Sequence, residues 1–298
     1  MVIDSSSNEW KEILHNNKHL VDAIDTSHPL FVDEFSLKSL FIQPSVGSMS
    51  QGTGHYKPLS SATGFVVRYK GNFYLITNRH VITGRNTETN ECLDPSLAIP
   101  ETLTIWHHAT LSIKGYGAWT IREEQLYHED GEPRWIEHPE FCIKNPDDFL
   151  QLNVDVVALP LEETDSNILL HTLDLTNIIN ERVGIPPGHN VSIVGFPLGR
   201  SAESFPIWKT GHIASDMFVH SQYRHYYIDA TTKPGMSGSP VFSRGVYINN
   251  KGEFIENQNI STNFIGVYSG RISSDADIGI VWQPKIIQEI LDYYLDKG

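Results

Sequence analysis

The sequence predicts a mainly β protein, built as a sandwich or barrel and flanked by a helix near each end. Short runs rich in β-branched and aromatic residues recur from about residue 37 onward, separated by glycine, proline, asparagine and aspartate. No helical pattern separates most of these runs, which disfavours alternating strands and helices. The length of 298 residues suits two folding units or one large all-β unit.

The first segment is predicted to be helical. Ser6 and Glu9 have the spacing of a capping box, and apolar residues follow at close to helical intervals through residues 10–24. Pro29 ends the helix, because the residue before a proline is disfavoured in helical conformation. Packing against the main body is the first interpretation, and a regulatory or docking arm is the alternative.

The clearest strand signal is the hairpin of residues 64–78, in which Lys70-Gly71-Asn72 separates two β-rich runs. Further strand-like runs occupy residues 103–113, 154–161, 190–198, 225–232, 239–243 and 263–269. Residues 85–148 contain five prolines between residues 95 and 146, and we interpret them as strands carrying long loops.

Two segments complete the chain. Residues 161–186 are the best candidate for a connector between two β units. Residues 284–296 are predicted to be helical after a proline in a permitted position. One face of that helix is apolar and carries Ile287, Ile290, Leu291 and Tyr294.

Composition excludes several classes of function. The chain has 22 Lys and Arg against 36 Asp and Glu, a net charge of −14, which disfavours binding to nucleic acid or an anionic membrane. No apolar run approaches the ~18 residues of a membrane span, and the start has no secretory signal pattern. Its two cysteines, Cys92 and Cys142, show no metal-binding spacing. We therefore expect a cytoplasmic protein with neither a metal nor another cofactor.

The sharpest local signal is the segment PGMSGSP at residues 234–240, which places Ser237 between glycines. Glycine permits a tight turn that leaves the serine open to an incoming carbonyl group. Backbone N–H groups at and just before the serine can then converge on one point as an oxyanion hole. The segment alone is equally compatible with a simple turn between strands.

A serine nucleophile needs a base and an acid that orients the base. His80 follows the strand-like run YLITN, where an imidazole can face a cleft. Asp155 interrupts an apolar run inside a predicted buried strand, so its charge needs a partner such as a histidine N–H. Each residue alone has an ordinary structural explanation, but their occurrence together favours a catalytic triad.

These three blocks carry a family resemblance. TNRHV, DVVAL and GMSGSP resemble the motifs of the trypsin-like serine peptidases of the PA clan, which have the chymotrypsin fold. The closest likeness is to the disulfide-free bacterial branches, the HtrA-type and glutamyl-endopeptidase-type enzymes. Further similar segments lie at residues 62–65, 195–199, 209–213 and 264–267, and the resemblance spans residues 58–295.

The resemblance implies two six-stranded antiparallel β-barrels with the active site between them, followed by the C-terminal helix, whereas the predicted N-terminal helix lies outside it. Residues 1–35 would form the N-terminal helical extension and residues 36–165 the first barrel, with the histidine and the aspartate. Residues 166–298 would hold the connector, the second barrel with the serine and the C-terminal helix.

The resemblance also implies residue roles. His80 would be the general base and then the general acid, oriented by Asp155, and Ser237 would attack the peptide carbonyl. The N–H groups of Gly235 and Ser237 would form the oxyanion hole. No metal ligands are implied.

Substrate-binding residues are implied by the same resemblance. Thr231 would lie at the base of the primary pocket, with Ser269 and Arg271 along its wall. The absence of an acid at residue 231 disfavours cleavage after Lys or Arg. Tyr268 stands near the position at which glutamyl endopeptidases have a histidine, so the resemblance does not support their substrate preference either. Arg271 either attracts an acidic side chain or points to solvent, so the preferred residue stays open.

The predicted function is a trypsin-like serine endopeptidase acting on protein or peptide substrates through an acyl-enzyme intermediate. We expect restricted substrates and an activating or regulatory protein partner, because Met236 replaces the aspartate of the conventional zymogen switch. One alternative is a catalytically idle pseudo-peptidase acting as a binding or scaffold protein. The other, an esterase or related acyl hydrolase, is disfavoured by the order of the three residues and by the absence of a strand–turn–helix serine motif.

Overall fold

The computed structural model describes residues 32–48, 56–109, 119–140, 153–161, 168–180, 184–202, 204–217, 224–244, 246–248, 254–256, 262–273 and 275–297. The predicted N-terminal helix lies outside these residues, and so does Cys142. His80, Asp155 and Ser237 all lie within them.

A first β unit contains the His and Asp blocks. Its strands are β1 (Ser39–Val46), β2 (Lys57–Pro58), β3 (Ala62–Tyr69), β4 (Asn72–Thr77), β5 (Thr102–Ala109), β6 (Trp119–Gln125), β7 (Ile136–Glu137), β8 (Val157–Leu161), β9 (Ile168–Leu169) and β10 (Leu173–Asp174). The main path runs β6-β5-β1-β3-β4-β8-β7, while β2, β9 and β10 pair with β1, β5 and β3. This unit thus has more strands than the six predicted, and its described strands follow an open path.

A second β unit contains the serine block. Its strands are β11 (Asn190–Gly195), β12 (Ile207–Ile213), β13 (His225–Asp229), β14 (Pro240–Arg244), β15 (Val246–Ile248), β16 (Phe254–Glu256), β17 (Thr262–Arg271) and β18 (Ile278–Trp282). Six of them close into a barrel in the order β11-β12-β13-β18-β17-β14. Among the described strands, β15 and β16 pair only with each other. The mainly β fold with two β units is confirmed, and this unit has the predicted six-stranded closure.

Local chemistry explains the hairpin of β3 and β4. Lys70 and Gly71 both have positive φ, at 47° and 86°, which matches the twist that a two-residue hairpin turn requires. Strand β4 leads directly into the short helix α1 (Arg79–Thr83), which ends at Gly84 in the left-handed conformation. The end of β4 thereby positions His80 at the edge of the first unit.

Three segments differ from the sequence prediction. Asp155 is buried as expected, but it lies two residues before β8 and not inside the strand. Residues 119–125, interpreted as part of a long loop region, form strand β6 along β5. The connector region also forms β9, β10 and helix α2 (Leu175–Asn180), because its apolar residues add to the first unit.

The C-terminal helix α3 (Lys285–Leu295) joins the two units. Ile287, Ile290 and Leu291 are buried as predicted, Ile286 is buried beside them, and Tyr294 is 45% exposed. The buried residues belong to a cluster that includes side chains of β3, β4, β14 and β17, so both units share one core. At 11 residues α3 is the longest described helix, and no helix of the described part is long and apolar enough to cross a membrane.

We predict that Ile290→Ala lowers the free energy of unfolding by about 2–5 kcal/mol, because it opens a cavity in the shared core. Denaturant unfolding followed by circular dichroism measures the change. The matched control is Ile272→Ala, where the side chain is 51% exposed and the expected change is within about 0.5 kcal/mol. Equal destabilisation by both substitutions would contradict the role assigned to α3.

Candidate active site

The Asp155 carboxylate accepts four hydrogen bonds. His80 Nδ1 lies 2.7 Å from Oδ2, and the backbone N–H of His80 donates to Oδ1 at 2.9 Å. The Thr87 hydroxyl donates to Oδ1 at 2.7 Å, and the Ser269 hydroxyl donates to Oδ2. The Asn78 amide, just before helix α1, also donates to the Asp155 carbonyl at 2.6 Å. A buried carboxylate is stable only with such donors, and here they also fix its orientation.

The electrostatics of this pair favour its charged form. Burial by itself would lower the pKa of His80, but the charge and the hydrogen bond of Asp155 outweigh burial and raise that pKa above its ordinary value. Burial would raise the pKa of Asp155, but the charge of His80 and hydrogen bonds from His80 and Ser269 lower it. Asp155 therefore remains ionised over the pH range in which His80 gains or loses its proton.

The serine turn has the backbone conformation that its glycines permit. Gly235 and Gly238 have φ of 95° and 83°, a region that side chains disfavour. A Cβ at Gly235 would overlap the carbonyl oxygen of Phe196 and lie 3.0 Å from the N atom of Leu198. Only glycine therefore fits at residue 235 without a shift of the neighbouring backbone.

Two N–H groups of this turn are left available. The N–H groups of Met236, Gly238 and Ser239 all donate to backbone carbonyl groups. Within the described part of the chain, those of Gly235 and Ser237 donate to no protein group. Unpaired donors on either side of Met236 are what an oxyanion hole requires.

Thr63 on β3 connects the serine turn to the first unit. Its hydroxyl donates to the Gly235 carbonyl at 2.8 Å and accepts from the Phe196 N–H at 3.1 Å. Its own N–H donates to the Ser237 carbonyl at 2.9 Å, and its carbonyl accepts from the Thr77 hydroxyl at 2.9 Å. Through these bonds β3 supports the loop of Ser237, and the Thr77 hydroxyl links β3 to β4, the strand that leads to His80.

One cavity of about 290 Å³ brings the three sequence-predicted residues together. His80, Asp155 and Ser237 all line it, and so do Ser269 and Arg271. The Ser237 hydroxyl donates to the carbonyl of Ser269 at 3.1 Å, and among the described residues no hydrogen bond joins it to His80. The lining also includes Gly270, Ile280 and Trp282 of the second unit and five residues from the first, which are Asn86, Thr87, Glu88, Leu93 and Asn153.

Besides Gly235, whose predicted contact is its backbone N–H, Thr231 is the one predicted site residue that does not line this cavity. Its side chain is exposed, whereas the neighbouring Thr232 is buried and its hydroxyl is hydrogen-bonded to that of Tyr268. Arg271 lies 3.9 Å from Asp277, so part of its charge is balanced. Of the three pocket residues implied by the resemblance, Ser269 and Arg271 thus line the cavity and Thr231 does not.

Sequence reasoning missed several partners of the site. Ser269 is predicted as a pocket wall, but its hydroxyl also binds Asp155. Thr63 stands out only as part of a family-like segment, and Thr87 gives no signal at all. A threonine in a loop is common, and only the folded chain shows that this one reaches the carboxylate across 68 residues of sequence.

The adjacent histidines of β5 are core residues. His107 and His108 point to opposite faces of the strand and are 1% and 2% exposed. Burial, together with the nearby Arg122, lowers the pKa of His107 to about 3, and burial beside His171 lowers the pKa of His108 to about 4. In the described part of the chain no three His, Cys, Asp or Glu side chains form a group that could hold a metal ion.

Sequence comparison identifies the class of protein. The profile of the trypsin-like peptidase domain matches residues 62–246, well over half of the chain, which includes all three blocks. The chain belongs to this family. Among curated proteins, no sequence matches significantly.

Solved structures of similar proteins are distant in sequence. The chain is 14% identical to an inactive serine-to-alanine mutant of Rv3671c from M. tuberculosis, with 87% of each chain covered and a TM-score of 0.39. It is 18% identical to the active form of the Rv3671c protease, over 87% of this chain and 81% of that one, with a TM-score of 0.39. The HtrA-type protease AlgW, solved with a tripeptide, is 15% identical over 87% of this chain and 60% of its own, with a TM-score of 0.42.

Proposed function

We propose that the chain is a serine endopeptidase that hydrolyses peptide bonds of proteins through Ser237, His80 and Asp155. One observation carries the proposal: the hydrogen-bonded His80–Asp155 pair, 2.7 Å between Nδ1 and Oδ2, lines the same cavity as Ser237. Family membership independently supports a peptidase. The geometry supports these proposed roles, because a candidate base, a carboxylate hydrogen-bonded to it and a candidate nucleophile line one cleft.

His80 has the orientation that a general base needs. Its Nδ1 faces the ionised carboxylate and therefore carries a proton, which leaves Nε2 free to accept one. The Ser237 hydroxyl first exchanges its bond to the Ser269 carbonyl for one to Nε2. Its proton then passes to His80 as Oγ attacks the substrate carbonyl carbon.

The oxygen of that carbonyl becomes negatively charged during the attack. The free N–H groups of Gly235 and Ser237 are the proposed donors to this oxyanion. His80 next gives the proton to the leaving amine, and the acyl group stays on Ser237. Water, deprotonated by His80, then attacks the ester carbonyl and releases the second product and the serine.

Substrate is proposed to lie along the end of β17. Ser269 and Arg271 line the cavity there, and Gly270 between them has open space where a Cβ would project. A peptide can therefore approach this backbone closely. Restricted protein substrates and an activating or regulatory partner belong to the proposal, and fast unaided hydrolysis of casein by the purified chain would contradict that part of it.

The pH dependence is set by the raised pKa of His80. Only neutral His80 can accept the serine proton, so kcat/KM should rise with pH along a limb whose midpoint lies above the ordinary pKa of histidine. Hydrolysis of a fluorogenic peptide from about pH 5 to about pH 9 measures this limb. A midpoint below the ordinary histidine value would contradict the coupling of His80 to Asp155.

A fluorophosphonate probe and a peptide library together test the proposal. We expect covalent labelling of Ser237, located by peptide mass spectrometry, and cleavage products from the library. A pseudo-peptidase would bind peptides without labelling or products. Labelling without peptide cleavage would instead favour another acyl hydrolase and overturn the endopeptidase assignment.

A further inference from the structure

Thr87 lies outside the three proposed catalytic residues, yet it binds one of them directly. Its hydroxyl donates to Asp155 Oδ1 at 2.7 Å, and its side chain is buried. The same oxygen accepts the His80 N–H at 2.9 Å. Oδ1 therefore has one donor from helix α1 and one from the loop after that helix.

The loop that carries Thr87 has a fixed shape. Its two ends meet in a β-bridge between Arg85 and Cys92. Inside it, the Asn86 side-chain oxygen accepts the N–H groups of Glu88 and Thr89 at 2.8 and 3.0 Å. Such a turn holds Thr87 in place without contribution from substrate.

The segment that carries Asp155 holds this loop in return. The Asn153 side-chain amide donates to the Thr87 carbonyl at 3.0 Å, and the Asn153 N–H donates to the Glu88 carboxylate at 2.9 Å. Residues 153–155 and the loop are thus joined by three hydrogen bonds, of which only that of the Thr87 hydroxyl reaches the carboxylate. The other two bonds hold the loop where the Thr87 hydroxyl reaches Asp155 Oδ1.

We propose that Thr87 is a positioning residue, whose hydroxyl fixes the rotation of the Asp155 carboxylate so that Oδ2 faces His80 Nδ1. The inference rests on the proposed function of His80 and Asp155. Rotation about the Cβ–Cγ bond of an aspartate is intrinsically soft. Donors on both oxygens, from Thr87 on Oδ1 and Ser269 on Oδ2, remove that freedom.

The direct test is Thr87→Val, which removes the hydroxyl and keeps a branched side chain. We expect kcat for a fluorogenic peptide to fall about 10- to 100-fold, as for a misoriented catalytic group, with KM little changed. Thr87→Ser should restore most of the loss, because it restores the donor. Thr89→Val, at an exposed threonine of the same loop, should leave kcat unchanged.

A second measurement does not depend on turnover. We expect the proton in the 2.7 Å hydrogen bond between His80 Nδ1 and Asp155 Oδ2 to give a far-downfield resonance in proton NMR. We expect Thr87→Val to shift or broaden this resonance and Thr87→Ser to keep it. Thr87→Ala serves if the valine variant does not fold, since it removes the hydroxyl without adding bulk.

The outcomes separate this proposal from the proposed function. If the native chain is neither labelled nor active, the proposed function fails, while the resonance still reports whether Thr87 orients the carboxylate. A wild-type kcat and an unchanged resonance in Thr87→Val would overturn the proposal. So would a loss in Thr87→Ser equal to the loss in Thr87→Val.

Discussion

Replacing Ser237 with alanine is expected to reduce kcat for peptide hydrolysis by about a millionfold, because the substitution removes the oxygen on which the proposed acyl-enzyme forms. The substitution removes only the hydroxyl, which among the described residues donates one hydrogen bond, to the Ser269 carbonyl. The loss of folding stability should therefore be about 1 kcal/mol. Peptide turnover, fluorophosphonate labelling and thermal unfolding of the native and variant chains together separate loss of chemistry from loss of structure.

The matched control for this substitution is Ser273→Ala. Ser273 is an exposed serine in the turn between β17 and β18 and is not among the residues that line the cavity. It should keep native turnover and native labelling. Equal labelling of native and Ser237→Ala chains would show that the nucleophile is another residue.

Asp155→Asn is expected to reduce kcat about 10⁴-fold while the chain remains folded. An asparagine keeps the shape and can still accept the N–H of His80 and the Thr87 hydroxyl through its oxygen. Its amide group would then face His80 Nδ1. Because that group is a donor, His80 must turn an unprotonated Nδ1 toward it and carry its proton on Nε2, where it cannot accept the proton of Ser237.

The measurement is kcat at saturating peptide, together with the histidine tautomer from ¹⁵N NMR. Asp130→Asn, at an exposed aspartate of the first unit, is the control for removal of one negative charge. Native kcat in Asp155→Asn would contradict the orienting role of the carboxylate. A native tautomer combined with lost activity would assign the effect to charge and not to orientation.

Much of the fold could be predicted from local patterns. The hairpin of β3 and β4 is fixed by a turn at Lys70 and Gly71, and α3 by its apolar face, so both depend on neighbouring residues. Strand β6 and the short strands β9 and β10 were not predicted, because their pairing depends on partners far away in sequence. The position of Asp155 just before β8 was missed because apolar residues flank it on both sides.

The residues of the candidate site also divide into those that local sequence motifs predict and those that only distant contacts reveal. His80, Asp155 and Ser237 stand in recognisable blocks, and the structure brings all three to one cavity. Thr63 and Thr87 contribute through hydrogen bonds that span 172 and 68 residues of sequence. A single hydroxyl of this kind has no periodicity and no motif, so only three-dimensional contacts reveal it. Thr231 shows the converse, since its alignment with a family position does not bring it into the cavity.

The bond between Thr63 and Gly235 has a consequence for synthesis of the chain. Thr63 leaves the ribosome 172 residues before the glycine whose carbonyl it holds. Contacts of such long sequence separation form late in folding, because the loop that they close is costly in entropy. The proposed oxyanion hole is therefore completed only when nearly the whole chain has emerged and both units have docked. A nascent chain that ends before Gly235 carries His80 and Asp155 without the proposed oxyanion hole, so we expect the proposed peptidase activity only after this segment has been translated.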